Sequence, residues 1–123
     1  MEFDSLSKTV IGCAIEVHRK LGPGLLETTY EKCLAHELIT HGIEYKSQVA
    51  LPVEYKGLQL DCGYRIDLMV ESRLIVELKS VDTLQKIHHA QLLTYMKLAN
   101  IKTGLLINFN NRLLKNGIKR LLL

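Results

Sequence analysis

The chain has no tryptophan, two prolines, two phenylalanines and three cysteines among its 123 residues, and each shortage excludes something. Cys13, Cys33 and Cys62 are odd in number and far apart, which suits neither a disulfide framework nor a zinc site built from close ligand pairs. They read as buried small residues. With no low-complexity linker and no internal repeat, residues 1–123 read as a single domain with one core. No apolar run approaches membrane-spanning length. The opening M-E-F-D-S-L-S-K is acidic and lacks the apolar core of a leader. A cytoplasmic protein with no membrane partner is expected. A large charge excess is missing too: a net charge of +3 permits a phosphate-backbone partner without arguing for one.

What is present is a clear succession of periods. Leu6, Val10, Cys13, Ala14, Val17 and Leu21 fall at helical spacing, so Ser5 to Leu21 is expected to be an amphipathic helix capped by Asp4 or Ser5 and stopped by Gly22-Pro23-Gly24. Leu26, Tyr30, Cys33, Leu34 and Leu38 predict a second helix ending near His41-Gly42. The period then shortens to two. Val49, Leu51, Val53 and Tyr55 read as one arm of a β-hairpin, Lys56-Gly57 as its turn, and Leu58 and Leu60 as the return arm toward Tyr64. Pro52 lacks an N–H, so the first arm belongs at an edge or contains an irregularity, and Gly63 marks a bulge or bend. Asp82 and Gln85 have capping-box spacing before a helix from Thr83 to about Ala99. Gly104 to Phe109 reads as a buried strand, and Ile118 to Leu122 as a further one. The order α-α-β-β-β-α-β predicts an α/β fold with a mixed central sheet flanked by helices.

Within that order one stretch conflicts with its own burial. From Tyr64 to Lys79, Y-R-I-D-L-M-V-E-S-R-L-I-V-E-L-K, two apolar strands joined at Glu71-Ser72-Arg73 carry Asp67, Glu77 and Lys79. Alternation puts Ile66, Leu68 and Val70 on one face with Asp67 and Met69 on the other, and groups Glu77 with Lys79. Charges on such strands are costly to desolvate unless paired or bound to metal. The bland reading is a partly exposed Glu77–Lys79 pair at a strand end. The chemical one is a site for Mg²⁺, with Mn²⁺ as a substitute: a few carboxylates, one backbone carbonyl at Leu78, and water suit a hard cation beside a phosphodiester. Lys79 would then orient water or add positive charge at the transition state. Glu27, in the first turn of the second helix, reads equally as a charge complementing the helix dipole. His88 and His89 read as packed or surface residues. Tyr30 and Tyr95 stand between core residues with bonded hydroxyls and site residues. Arg65, Arg73, Lys46 and Lys56 read as a solvated face able to touch phosphate.

The segment G-L-L-E-T-T-Y, Gly24 to Tyr30, resembles the GxxExxY family of the PD-(D/E)XK nuclease superfamily position for position. The resemblance extends to L-G-P-G at Leu21–Gly24, to Asp67, to E-L-K at Glu77–Lys79, to Q-L-L-T-Y at Gln91–Tyr95 and to G-L-L-I-N-F at Gly104–Phe109. Gln91 and Tyr95, one helical turn apart, further resemble the motif of RecB-like nucleases. One departure is Ile66, where the superfamily's name has proline before the aspartate. The resemblance implies a restriction-endonuclease-like core, Mg²⁺-dependent phosphodiester hydrolysis of a nucleic acid, DNA in the first instance, and a site of Glu27, Asp67, Glu77, Lys79, Gln91 and Tyr95. It makes Glu27, Asp67, Glu77 and the Leu78 carbonyl the metal ligands. Two other readings stay open: a nucleic-acid- or protein-binding subunit on a nuclease fold, and a hydrolase of small phosphates. The size of the chain allows a homodimer.

Overall fold

A computed structural model describes residues 4–123; the opening residues Met1 to Phe3, on which the reading of the acidic start partly depends, lie outside them. Helix α1 spans Ser5–Leu21 and α2 spans Glu27–Thr40. Asp4 caps α1, its carboxylate accepting from the Ser7 amide at 2.8 Å and the Ser7 hydroxyl at 2.9 Å. A central sheet follows the order β1-β4-β5-β6-β7, built from Tyr45–Ala50, Arg65–Val70, Leu74–Lys79, Thr103–Asn108 and Ile118–Leu122. All pairings are antiparallel except β5 with β6. The parallel step requires a crossover, and α3, Lys86–Ala99, supplies it. No helix among the described residues is long and apolar enough to cross a membrane.

The two faces of the sheet have separate cores. Val10, Val17, Tyr30, Leu34 and Leu38 of α1 and α2 pack against Leu68, Val76, Leu78, Leu105 and Ile107. Leu92, Tyr95 and Met96 of α3 pack with Ile75, Leu106 and Leu121. This is the mixed sheet flanked by helices that the succession of periods predicts. Tyr30 belongs to the first core. Fully buried and stacked on Phe109 at 4.3 Å between centroids, it donates its hydroxyl to the Gly22 carbonyl and accepts from the Leu25 amide. It thereby fixes the loop from which α2 starts.

Four expectations are corrected. The predicted hairpin arm from Val49 to Tyr55 is two elements: β1 ends at Ala50 and pairs with β4, whereas β2, Val53–Tyr55, pairs only with β3, Leu58–Leu60, as a separate ribbon. Pro52 lies at the break, and β1 is an edge strand, the position a missing N–H favours. Helix α3 begins three residues later than expected. Its capping box joins Gln85 to His88, whose Nδ1 accepts from the Gln85 amide at 2.9 Å, because the preceding loop is held instead to Asn108. Ile66 is expected on the same face as Leu68 but packs in the α3-side core, whereas Leu68 packs under α1 and α2. Of the cysteines only Cys13 is buried; Cys33 is half-buried and Cys62 exposed on the loop after the ribbon.

Asn108 is a buried amide that extends the sheet with its side chain. Its Oδ1 accepts from the Val81 amide at 3.0 Å and its Nδ2 donates to the Val81 carbonyl at 2.8 Å, two residues beyond Lys79. Gly117 packs under this region. A Cβ there would overlap the Asn108 carbonyl oxygen and lie 2.5 Å from Asn111 Nδ2. Gly117→Ala is therefore expected to cost about 1–3 kcal/mol, the usual penalty of overpacking. A thermal melt unchanged from the parent would show that the turn absorbs the methyl group freely.

Candidate active site

The ladder between β4 and β5 pairs Val70 with Leu74, Met69 with Ile75 and Leu68 with Val76, then stops. One step further, the strands are joined by side chains. Glu77 Oε2 accepts from the Asp67 amide at 2.7 Å, and Asp67 Oδ2 accepts from the Leu78 amide at 2.9 Å. Each carboxylate stands where a ladder carbonyl would be, so the two are held side by side by the backbone. Within a strand the N–H and C=O of one residue point the same way. The Leu78 carbonyl therefore opens toward the same gap as its amide.

The electrostatics follow from that placement. Glu77 is only 5 % exposed. Burial first, and the Asp67 charge second, push its carboxyl from the ordinary 4.5 up to about 8, against the bond from the Asp67 amide and the attraction of Lys79. Burial likewise raises Asp67, although the Leu78 amide and Lys79 pull it down. No ion pair joins Glu77 to Lys79 among the described residues, and Glu77 is buried, so the reading of an exposed strand-end pair does not describe it. The half-buried Lys79 sits at the end of β5, its carbonyl accepting from the Phe109 amide at 2.9 Å. Ser80 next to it donates its hydroxyl to the Leu25 carbonyl at 2.6 Å, tying this strand end to the loop before α2.

Of the other predicted residues, Glu27 is half-buried in the first turn of α2 and adds its charge to the load on Asp67, with no hydrogen bond joining the two. Gln91 and Tyr95 meet as expected, Gln91 Nε2 donating to the Tyr95 hydroxyl at 3.0 Å. Burial raises the Tyr95 phenol, and the negative charges of Glu77 and Asp67 raise it further, which places α3's stripe beside the carboxylates. His88 caps its own helix and His89 is exposed.

Two residues were missed. Glu31, one turn after Glu27 on the same helix, has its carboxyl raised by burial and by Asp67, and Gln48 Nε2 donates to its Oε1 at 2.7 Å. The same Gln48 nitrogen lies 3.4 Å from Asp67 Oδ1. Gln48 holds a left-handed φ of 52° in the middle of β1, opposite Asp67. Such a conformation costs about 1–3 kcal/mol and tends to persist at functional sites. Glu31 could have been found from its i+4 spacing to Glu27; nothing in the sequence singles out Gln48.

Among the described residues no three His, Cys, Asp or Glu side chains are gathered closely enough to hold a metal ion by themselves. What stands together is a pair of carboxylates, a backbone carbonyl facing them, and one lysine. That donor set is all hard oxygen and, with both carboxyls ionised, carries more negative charge than Lys79 balances, which fits a divalent cation of the Mg²⁺ kind.

No curated protein and no solved structure matches the chain. The sequence does match the family model of the PD-(D/E)XK nuclease superfamily over residues 4–121, a span that takes in α1, α2 and α3, the sheet up to Leu121 and every residue of the site. The chain belongs to the PD-(D/E)XK nuclease superfamily.

Proposed function

We propose that the chain is a Mg²⁺-dependent nuclease that hydrolyses phosphodiester bonds in DNA, and that it belongs to the GxxExxY branch of its superfamily. The observation that carries the reading is the Asp67–Glu77 pair, a half-buried and a buried carboxylate locked side by side at the end of an apolar sheet, with more negative charge than Lys79 balances once both are ionised. A structural ion pair would neutralise itself; this pair needs a cation. Asp67, Glu77 and the Leu78 carbonyl would hold it, and Glu27, whose charge reaches Asp67 from α2, would complete the shell through water. When bound, the cation supplies positive charge to the phosphate and acidifies a bound water.

The chain's own groups do the rest. Lys79 holds the attacking water in line and counters the charge that grows on the phosphate. Tyr95 and Gln91 close the α3 side of the site and limit access of bulk water. Gln48 positions Asp67 by occupying its second oxygen and keeps Glu31 from displacing it. The binding-subunit reading leaves the raised Glu77 without a purpose, and the small-phosphate reading leaves the open cleft beside Tyr95 without one.

The deciding experiment incubates the purified protein with single-stranded, duplex and branched DNA and with free nucleotides, in Mg²⁺, Mn²⁺ or EDTA. Metal-dependent cutting of a DNA is expected; release of phosphate from nucleotides alone would favour the small-phosphate hydrolase, and retention without cutting the binding subunit. Asp67→Asn tests the metal assignment separately. A neutral amide replaces a charged oxygen ligand of the same shape, so Mn²⁺ affinity measured by calorimetry should fall at least tenfold, equivalent to about 1.4 kcal/mol. An unchanged affinity would place the cation elsewhere.

A further inference from the structure

We propose that the cleft between α3 and the β2–β3 ribbon is a binding site for one unpaired nucleobase, so that the substrate is a single strand or the frayed end or flap of a duplex. This deepens the nuclease reading and rests on it. The cleft has a volume of about 360 Å³ and is lined by Val53, Tyr64, Ile87, Gln91, Tyr95 and Leu98, among others. That is near the bottom of the range of small-ligand sites, about 300–1,000 Å³, and is room enough for one base.

Its walls have the chemistry of a base. Tyr64 keeps 42 % of its surface exposed, and Ile87 and Leu98 keep 68 % and 40 %. The Tyr64 ring is steadied by the edge of the buried Tyr95 ring, 6.1 Å between centroids at 61°. One aromatic surface is thus held in place opposite apolar side chains of α3, with room between them. Gln91 commits one amide hydrogen to the Tyr95 hydroxyl, which leaves its carbonyl oxygen and a second hydrogen for the mixed donor and acceptor edge of a base.

Position and charge point the same way. The cleft shares Gln91 and Tyr95 with the candidate active site, and Tyr64 lies three residues before Asp67 on the same stretch of chain. Arg65 and Lys86, the chain neighbours of Tyr64 and Ile87, are both exposed cations available to the phosphates flanking a seated base. A base inside a duplex has its faces stacked and its edge bonded, and cannot enter without being unpaired.

The test measures binding in EDTA at low salt, so that no cutting intervenes. Fluorescence anisotropy compares a short single strand, its blunt duplex, and the single strand with abasic sites throughout, each against the parent, Tyr64→Ala, Tyr64→Phe and Ile87→Gln. Ile87 is a surface position on a long helix, so its variant remains informative even where Tyr64→Ala fails to fold. The parent should prefer the base-bearing single strand to both other ligands. Tyr64→Ala should weaken that binding by roughly 5- to 150-fold, the equivalent of one lost base–aromatic stack, Ile87→Gln should weaken it less, and Tyr64→Phe should bind as the parent does. Equal binding of abasic and intact strands, or Tyr64→Ala and Ile87→Gln variants that bind as the parent, would overturn the pocket. So would a dimer of the free protein, seen by light scattering, that Ile87→Gln dissociates, since a second copy would then fill the cleft. Cutting of duplex DNA by variants that bind and cut as the parent does would overturn the pocket and leave the nuclease standing. Failure of the parent to cut any nucleic acid with any divalent metal would overturn the nuclease reading, while the anisotropy would still decide the pocket.

Discussion

Lys79→Ala is expected to lower the rate of cutting by roughly 100- to 1,000-fold, the range seen when one group stabilising transition-state charge is removed, while the fold and the affinity for Mn²⁺ stay near those of the parent. The backbone around Lys79 explains the second half of that expectation. Its carbonyl is bonded to Phe109, Ser80 is tied to Leu25, and Val81 is held on both sides by the Asn108 amide, so none of the local geometry depends on the Lys79 side chain. The first half follows from where the ammonium stands. It is the cation whose field lowers the pKa of both Asp67 and Glu77, and it makes no ion pair with either. Removing it takes away no ligand and one positive charge that repels a divalent ion. Metal affinity should therefore hold or rise while turnover falls, a split that loss of a ligand or of folding does not produce. Equal turnover by variant and parent at saturating metal would remove Lys79 from the mechanism. Arginine is a weak rescue at best, because its broad planar fork does not reproduce a compact ammonium.

The parts of this site that sequence periodicity reveals are those carried on strands and helices with strong apolar alternation. Asp67 and Glu77 stand out because every second neighbour is buried, and both lie where alternation places them. Gln91 and Tyr95 are picked out by the resemblance to RecB-like nucleases, and the helix brings them together one turn apart. The opposing group, Glu31 with Gln48, is hidden by its surroundings. Gln48 is exposed on an edge strand of mostly polar residues, where no burial pattern constrains it, and its left-handed backbone leaves no mark in the residue type, since glutamine is not the residue such a conformation favours. The split of the predicted hairpin arm has a similar origin. Val49, Leu51, Val53 and Tyr55 keep perfect alternation across Pro52, yet the two halves pair with different partners, and pairing is a long-range property that period alone does not encode. The start of α3 was displaced by Asn108, a residue 26 positions after Asp82 whose side chain captures Val81 and holds the intervening loop out of the helix.

In the absence of metal the protein is expected to lose stability as the pH rises from about 5 to about 9, and Glu77→Gln is expected to remove most of that loss. The sign follows from the direction of the shift. Folding raises the Glu77 carboxyl from 4.5 to about 8, so between those values the folded chain keeps a proton that the unfolded chain has released. Stability from this group is complete below the unfolded value and is lost as the pH passes through the folded one. A shift of that size corresponds to several kcal/mol, on the order of 1.4 for each pH unit. Asp67 and Glu31 are raised too and add to the same slope. Asp4 acts in the opposite sense: its bonds to the Ser7 amide and Arg120 hold its carboxyl down to about 2, so its contribution disappears only in strong acid, outside this window. Glutamine at position 77 can still accept from the Asp67 amide but carries no charge to desolvate, so the variant melted in EDTA at pH 8.5 should be more stable than the parent, with the two nearly equal at pH 5. Cutting should be lost with the ligand. For the parent, binding of a divalent cation must displace the same proton, so metal affinity should climb over the interval in which the metal-free protein weakens. Melts of parent and variant that run parallel from pH 5 to 9 would show that folding does not raise the Glu77 carboxyl, and the electrostatic load that a bound cation would relieve would then be absent.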